Sequence, residues 1–430
     1  MGRTTQLSAR SDPRPLTARI PFQTMKRAVG ARTLAATGVV AAALAATATS
    51  GAAGSLALRL DRALHAPSIG YATSGADVVD LDTGRVVYAH NAALPLRPAS
   101  NEKLTVTYAA LTALGPSFRI ETDVLGDGEQ DGAVWRGNLV LKGYGDPTLS
   151  SADLASLARQ VRADGIETVT GGVVGDETWF DARRTAPGWK ASFYIDESPP
   201  LSALVVNRAV VGRQTSRDPA LSAAQLLAKA LARAGVHVAR PATLGAAVDG
   251  DEALASVDSP PLEAIVHSMD RVSDNFTAEM LTKELGAVQL GQGTTAAGLR
   301  VVYAQLAAAG IPLAGVRLAD GSGLSLLDRL TPNALVALLR TMWSDPELRP
   351  ELVAALPTAG RTGTLHDRMR GTAAAGVVHA KTGTTDNATA LSGFAGDRYV
   401  FSVIVNGDPV SWAASRDAED SFAVALAAAQ

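Results

Sequence analysis

The sequence predicts a mixed α/β (α+β) protein, with sheet strands and long helices and a separate α/β module. Three observations carry this expectation. A strand–turn–strand pattern early in the chain and a group of strands near its end bracket several long apolar helices. From about residue 119 the pattern changes to β-α-β with Gly- and Pro-rich joins, which marks a separate module. The 430 residues suffice for two or more domains, each with its own core.

The elements follow in order. Residues 1–32 carry Arg and Lys, no Glu and a single Asp, and 33–48 form an Ala-rich apolar run. Ala46-Thr47-Ala48 fits a small-x-small cleavage pattern, so 1–48 reads as a secretory signal peptide, with Met25 as an alternative start. The chain is then expected outside the cytoplasm, secreted or in the periplasm or cell wall. A retained anchor is the alternative. It would leave the protein peripherally associated with the membrane, although the run is shorter than a comfortable span.

Residues 71–80 and 85–89 flank Asp82-Thr83-Gly84 and predict a hairpin. Residues 104–114 predict a buried helix. Within 119–257, strands at 138–142 and 168–174 flank a helix at 151–165, with Leu154, Leu157, Ala158 and Val161 on one face. A second helix is predicted at 223–234. Helices at 276–285, 295–308 and 332–342 come next, then strands at 377–385, 388–393 and 399–405, then a terminal helix from about Arg416.

Composition removes several functions. Net charge is −3 with no long run of one sign, which argues against nucleic-acid partners and a polybasic membrane surface. Without cysteine there is no disulfide, thiol catalysis or Cys-bound zinc. Six scattered histidines lack an H-E-x-x-H spacing, so neither a metal nor another cofactor is expected.

Three short motifs carry chemistry. Ser100 is the only serine with a lysine three residues on. At that spacing on a helix start, the Ser100 hydroxyl and the Lys103 amine share a face, and an uncharged lysine can be the base a serine nucleophile needs. By itself the pair could be a solvated helix start. Ser273-Asp274-Asn275 falls in a loop between two helices, where Asn as a helix cap is the plainer reading. Lys381-Thr382-Gly383-Thr384 ends an apolar strand and is the sharpest of the three.

In this order the motifs match those of serine β-lactamases and penicillin-binding proteins. The gap from Ser100 to Ser273 is far longer than in a compact β-lactamase. The chain over about 70–430 resembles the low-molecular-mass class C penicillin-binding proteins, which are D-alanyl-D-alanine carboxypeptidase/endopeptidases. Further carriers are Gly143-Tyr144-Gly145-Asp146-Pro147, Ala186-Pro187-Gly188-Trp189, Ser202-Ala203-Leu204, Ala278-Glu279, Asp320-Gly321-Ser322-Gly323-Leu324-Ser325 and Gly363-Thr364-Leu365. The resemblance implies a discontinuous transpeptidase-like domain, 56–118 with 258–430, with an antiparallel sheet and helices, and an inserted domain at 119–257. Between Asn207 and Leu221 the chain is short where several such proteins carry a further subdomain.

The resemblance also implies roles. Ser100 attacks a D-Ala-D-Ala carbonyl in a peptidoglycan peptide, or a β-lactam antibiotic, and Lys103 takes its proton. Ser273 relays that proton to the leaving nitrogen, and Asn275 orients the acyl-side carbonyl. Backbone N–H groups of Ser100 and Thr384 form the oxyanion hole. Lys381, Thr382 and Thr384 hold the terminal carboxylate, and Gly383 lets substrate lie close. Lys103 must be neutral to act, and burial together with a nearby cation, for which Lys381 is the candidate, is expected to lower its pKa. Asp176 is a candidate for binding a diaminopimelate amino group, with a turn-forming role as its alternative; Asp274 is expected to be structural. The competing functions are a β-lactamase and a non-catalytic wall-binding or penicillin-sensing module.

Overall fold

The computed structural model describes residues 45–66 and 69–430. The expected signal segment therefore lies outside the described residues except for 45–48, which open the helix Ala45–Leu64. No helix among the described residues is long and apolar enough to cross a membrane.

The central sheet has five antiparallel strands in the order Val378–Thr385, Ala388–Ala395, Tyr399–Asn406, Ser74–Asp80, Val86–His90. The hairpin and the three late strands thus form one sheet. Three of its strands, Ser74–Asp80, Ala388–Ala395 and Tyr399–Asn406, are buried along almost their whole length, because helices cover both faces. On one face, Val378, Ala380, Phe401 and Val403 pack with Leu56, Leu60 and Leu64 and with Phe422 and Leu426 of the terminal helix Trp412–Ala427. On the other, Phe394, Val400 and Ile404 meet the helical core around Leu104, Leu335 and Leu339. Each fully buried side chain of this size stabilises the fold by roughly 1.5–3 kcal/mol.

The serine helix, Lys103–Ala113, is buried from Lys103 to Leu111. A helix apolar on all sides belongs in the centre of a domain. It packs with the helices Leu262–Val272, Asn275–Leu290 and Thr295–Ala308. A short 3₁₀ turn, Ala99–Glu102, precedes it.

Among the described residues, the chain between the serine helix and Ser273 forms a two-stranded sheet, Val210–Val211 with Gln214–Thr215, and two larger ones. One is mixed, in the order Thr243–Leu244, Val173–Asp176, Leu139–Gly143, Glu121–Gly126, Glu252–Asp258. Its first and last long strands pair antiparallel, Glu121 opposite Asp258, so the segment leaves beside the point where it entered. Neither of these two strands was expected from the sequence. The second sheet joins four short strands, among them Thr168–Val169. The strand expected at 168–174 is split between the two sheets at Gly171-Gly172, where a Cβ on Gly171 would lie 2.4 Å from the Gly137 carbonyl oxygen. Helices Ser151–Ala163 and Pro219–Arg233 cover a core of Trp135, Leu157, Val161 and Leu227. The first begins with a capping box between Ser150 and Asp153, and the second with proline in its first turn.

Candidate active site

The three motifs, remote in sequence, meet at one edge of the central sheet. Lys103 is the first residue of the serine helix and Ser100 lies in the preceding turn, so the expected one-face geometry is realised: Lys103 Nζ donates to Ser100 Oγ at 2.9 Å. The turn is entered through Ala99 in a left-handed conformation (φ 46°). Lys103 is fully buried. Its other acceptors are the Asn275 side-chain carbonyl, at 2.9 Å, and the Ser322 backbone carbonyl, at 2.5 Å.

Ser273 ends the helix Leu262–Val272 in a left-handed conformation (φ 62°), which turns the chain sharply into the next helix. Asp274 caps that helix by accepting from the N–H groups of Phe276 and Thr277, and it is also bound by the Arg208 guanidinium. It is a structural residue here, as expected. Asn275 is the first residue of the helix, and its Nδ2 donates to the Glu197 carbonyl at 3.0 Å. Glu197 belongs to a strap that is also tied down by Trp189, whose indole N–H donates to Asp320 at 2.7 Å, and by the Lys190–Asp386 ion pair at 2.8 Å.

The strand Val378–Thr385 lies at the sheet edge, against the serine turn. Its Lys381 is fully buried and donates to Ser273 Oγ at 2.7 Å and to the Thr382 carbonyl at 2.9 Å. Thr382 Oγ1 donates to Thr364 Oγ1 at 2.7 Å, and Thr384 Oγ1 accepts from Arg416 at 3.3 Å. Gly383 passes so near the serine turn that a Cβ there would lie 2.8 Å from the Pro98 carbonyl oxygen.

Burial sets the electrostatics. It brings Lys103 down to about 8, against the pull of Asp320, Asp270, Asp274 and Glu279. Burial also brings Lys381 down to about 7; the charge of Lys103 pushes the same way and Asp270 opposes. Desolvation is the chief cause for both lysines, and the repulsion between them adds to it.

The sequence matches the model of the D-Ala-D-Ala carboxypeptidase 3 (S13) family over residues 56–217 and 212–429. The chain belongs to that family. Among similar proteins, this S13-family chain is 34% identical over 456 residues to a D-alanyl-D-alanine carboxypeptidase of Actinomadura sp. (strain R39), covering 86% of this chain and 84% of the relative. It is 34% identical over 403 residues to the carboxypeptidase DacB of Mycolicibacterium smegmatis, covering 86% and 83%. The crystal structure of penicillin-binding protein 4 (DacB) of Haemophilus influenzae has the same fold, with a TM-score of 0.74 at 21% identity over 86% of this chain and 97% of that one.

One expected site residue of this S13-family chain lies elsewhere. Asp176 is fully buried at the end of the strand Val173–Asp176. One of its carboxylate oxygens accepts from the Thr178 N–H and hydroxyl, at 2.8 and 2.6 Å, and the other from the Ala247 N–H at 2.9 Å. With its carboxylate so engaged and no exposed surface, Asp176 pins a turn and has nothing to offer a substrate ammonium; its assignment to substrate binding is corrected to the turn-forming alternative. Conversely, no role for Thr364, Glu197, the Ser322 carbonyl or Glu279 was readable from the motifs. Thr364 and Glu279 stood inside motifs of the family resemblance. A backbone carbonyl leaves no mark in a sequence.

Proposed function

We propose that the chain is a serine D-alanyl-D-alanine carboxypeptidase, with endopeptidase action on cross-linked stem peptides, working through an acyl ester on Ser100. The observation that carries this is the paired arrangement of two serines and two buried lysines, Lys103 with Ser100 and Lys381 with Ser273, in one site. Neutral Lys103 takes the Ser100 hydroxyl proton as Oγ attacks the penultimate D-alanine carbonyl. The peptide C–N bond then breaks, and the proton passes through Ser273 to the leaving nitrogen. Water hydrolyses the ester, returning the serine and releasing the shortened peptide. The Ser100 and Thr384 N–H groups hold the oxyanion, the Asn275 amide takes the acyl-side carbonyl, and Lys381 with Thr382 and Thr384 takes the terminal carboxylate.

Penicillins enter by the same attack and stop at the ester. Peptidoglycan peptides and β-lactams are therefore the ligands. Such a substrate lies outside the cytoplasm, in keeping with a signal peptide at 1–48; a retained anchor would add peripheral membrane association. Residues 119–257 are read as a domain inserted into a catalytic domain of 56–118 and 258–430, supported by the pairing of Glu121 with Asp258 at its entry and exit.

The test is a time course of the purified extracellular part with labelled penicillin, followed by mass spectrometry, beside Ser100→Ala. A long-lived adduct on Ser100, absent in the variant, is expected. Labelling that persists in Ser100→Ala removes Ser100 as nucleophile. Rapid release of hydrolysed drug converts the assignment to a β-lactamase.

A further inference from the structure

A neutral lysine that acts as a base must aim its single lone pair at the proton it takes. An ammonium has three N–H donors; the neutral amine has two and one lone pair. Lys103 Nζ meets three oxygens, and they are not equivalent. The Asn275 Oδ1 and the Ser322 carbonyl can only accept, whereas the Ser100 hydroxyl can also donate. When Lys103 is neutral, its two N–H bonds go to the two pure acceptors. The lone pair is then left facing Ser100. The aim of the base thus depends on keeping the Ser322 carbonyl in place.

What keeps it there is a built support. Glu279 Oε1 accepts from the N–H groups of Gly321 and Ser322, at 3.0 and 2.9 Å. Asp320 accepts from the Gly323 N–H at 2.7 Å and the Ser325 N–H at 2.9 Å, closing the loop on itself. The loop fits tightly between two elements of the site. A Cβ on Gly321 would lie 1.9 Å from Thr282 Oγ1, and one on Gly323 (φ 81°) would lie 1.9 Å from the Ala99 carbonyl oxygen. Glu279 is one helical turn beyond Asn275, so both project from one face of the helix Asn275–Leu290. That face supplies one acceptor to Lys103 directly and fixes the other through the loop.

We propose that Glu279 is a positioning residue for acylation: by holding the Gly321 and Ser322 amides it sets the Ser322 carbonyl against Lys103 and so directs the lysine lone pair toward Ser100. This deepens the proposed function and rests on it. Glu279 is fully buried and faces Glu102, Asp320, Lys103 and Lys283. Burial, with Asp320 beside it, pushes its carboxyl up to about 8, so near neutrality it is a carboxylic acid that offers a carbonyl oxygen. A glutamine has the same shape and the same acceptor.

The experiment measures penicillin acylation as a pre-equilibrium binding constant and a first-order acylation rate, across pH, for wild type, Glu279→Gln, Glu279→Ala and Gly321→Ala. The glutamine variant should stay near wild type. Glu279→Ala should lose about 10- to 100-fold in the acylation step, the cost typical of misplacing a reacting group by about 1 Å, with binding little changed. Its acid limb should move to higher pH, because water reaching a loosened Lys103 favours the charged form. Gly321→Ala, whose added Cβ would meet Thr282 on the same helix and push the loop away from Glu279, should show the same selective loss and keeps the test alive if Glu279→Ala does not fold. Wild-type acylation rate and pH profile in either folded variant overturn the proposal. So does a loss confined to binding, or a glutamine variant as slow as the alanine one. If wild type itself forms no Ser100 adduct, it is the proposed function that fails.

Discussion

Lys103 and Lys381 repel each other in one buried site, and each donates to a different serine, Ser100 at 2.9 Å and Ser273 at 2.7 Å. Neither lysine is exposed. The two amines therefore titrate as a pair, and the protein passes through a state holding one shared positive charge between them.

That state is the active one in the proposed mechanism, since acylation needs a neutral base and one charge for the substrate carboxylate. Burial lowers both lysines, so the acylation rate constant should rise as the pair sheds its first proton and fall again as it sheds the second, both steps lying below the ordinary lysine range. The measurement is the second-order rate with labelled penicillin across the pH range. A rate flat from mildly acid to strongly alkaline solution would contradict the shared-charge state.

Lys103→Ala should cut acylation by roughly 10²- to 10⁴-fold, the range for loss of a positioned base, while leaving pre-equilibrium binding close to wild type. Lys103→Arg should not restore the rate, because a guanidinium stays charged and has no lone pair to offer. Recovery of acylation by arginine would show that the lysine acts as a charge and not as a base.

Gly383→Ala tests the close approach of strand and serine turn. The new Cβ would sit 2.8 Å from the Pro98 carbonyl oxygen and 3.0 Å from Asn101 Nδ2. Alanine suits an extended backbone, so the effect is steric. We expect a destabilisation of about 1–3 kcal/mol, as for overpacking, together with slower acylation. Thermal melting and the acylation rate check both parts, and a wild-type result in both would mean that the two elements separate easily.

Glu284 is buried on the same helix as Asn275, with only the Trp179 indole N–H, at 2.9 Å, to favour its charged form. Burial pushes its carboxyl up to about 8. The folded state thus binds this proton more tightly than the unfolded chain does. Its stabilising contribution is complete below the ordinary glutamate range and is lost as pH rises toward about 8. Glu284→Gln should remove that loss, raising stability at alkaline pH by on the order of 1–3 kcal/mol relative to wild type and changing it little in acid. Denaturant melts at two pH values decide it; parallel curves for both proteins would place the pH dependence elsewhere.

Much of the site was legible in the sequence because its chemistry sits at local spacings. Ser100 and Lys103 meet through helical periodicity alone. The meeting of Lys381 with Ser273 is not local, and only the order of the motifs pointed to it. The strands Glu121–Gly126 and Glu252–Asp258 escaped because their pairing is long-range; in the first the inward Thr122 and Gly126 carry no large apolar side chain, and in the second burial does not alternate. Asp176 misled for a readable reason. Asp-x-Thr also occurs at Asp146 and Thr148, where the carboxylate again accepts from the threonine N–H and hydroxyl, both at 2.7 Å. That repeated pattern was the available sign that Asp176 serves its own turn.

The left-handed backbone at Ala99 and Ser273 has an evolutionary consequence. A residue other than glycine held in that region costs on the order of 1–2 kcal/mol. At Ala99 glycine could relieve the cost, since no side-chain chemistry is asked of that position. At Ser273 the same relief would delete the hydroxyl that Lys381 grips. A lineage selected only for heat tolerance could therefore gain from a glycine at either position, but at Ser273 that gain would come with loss of the proposed proton relay.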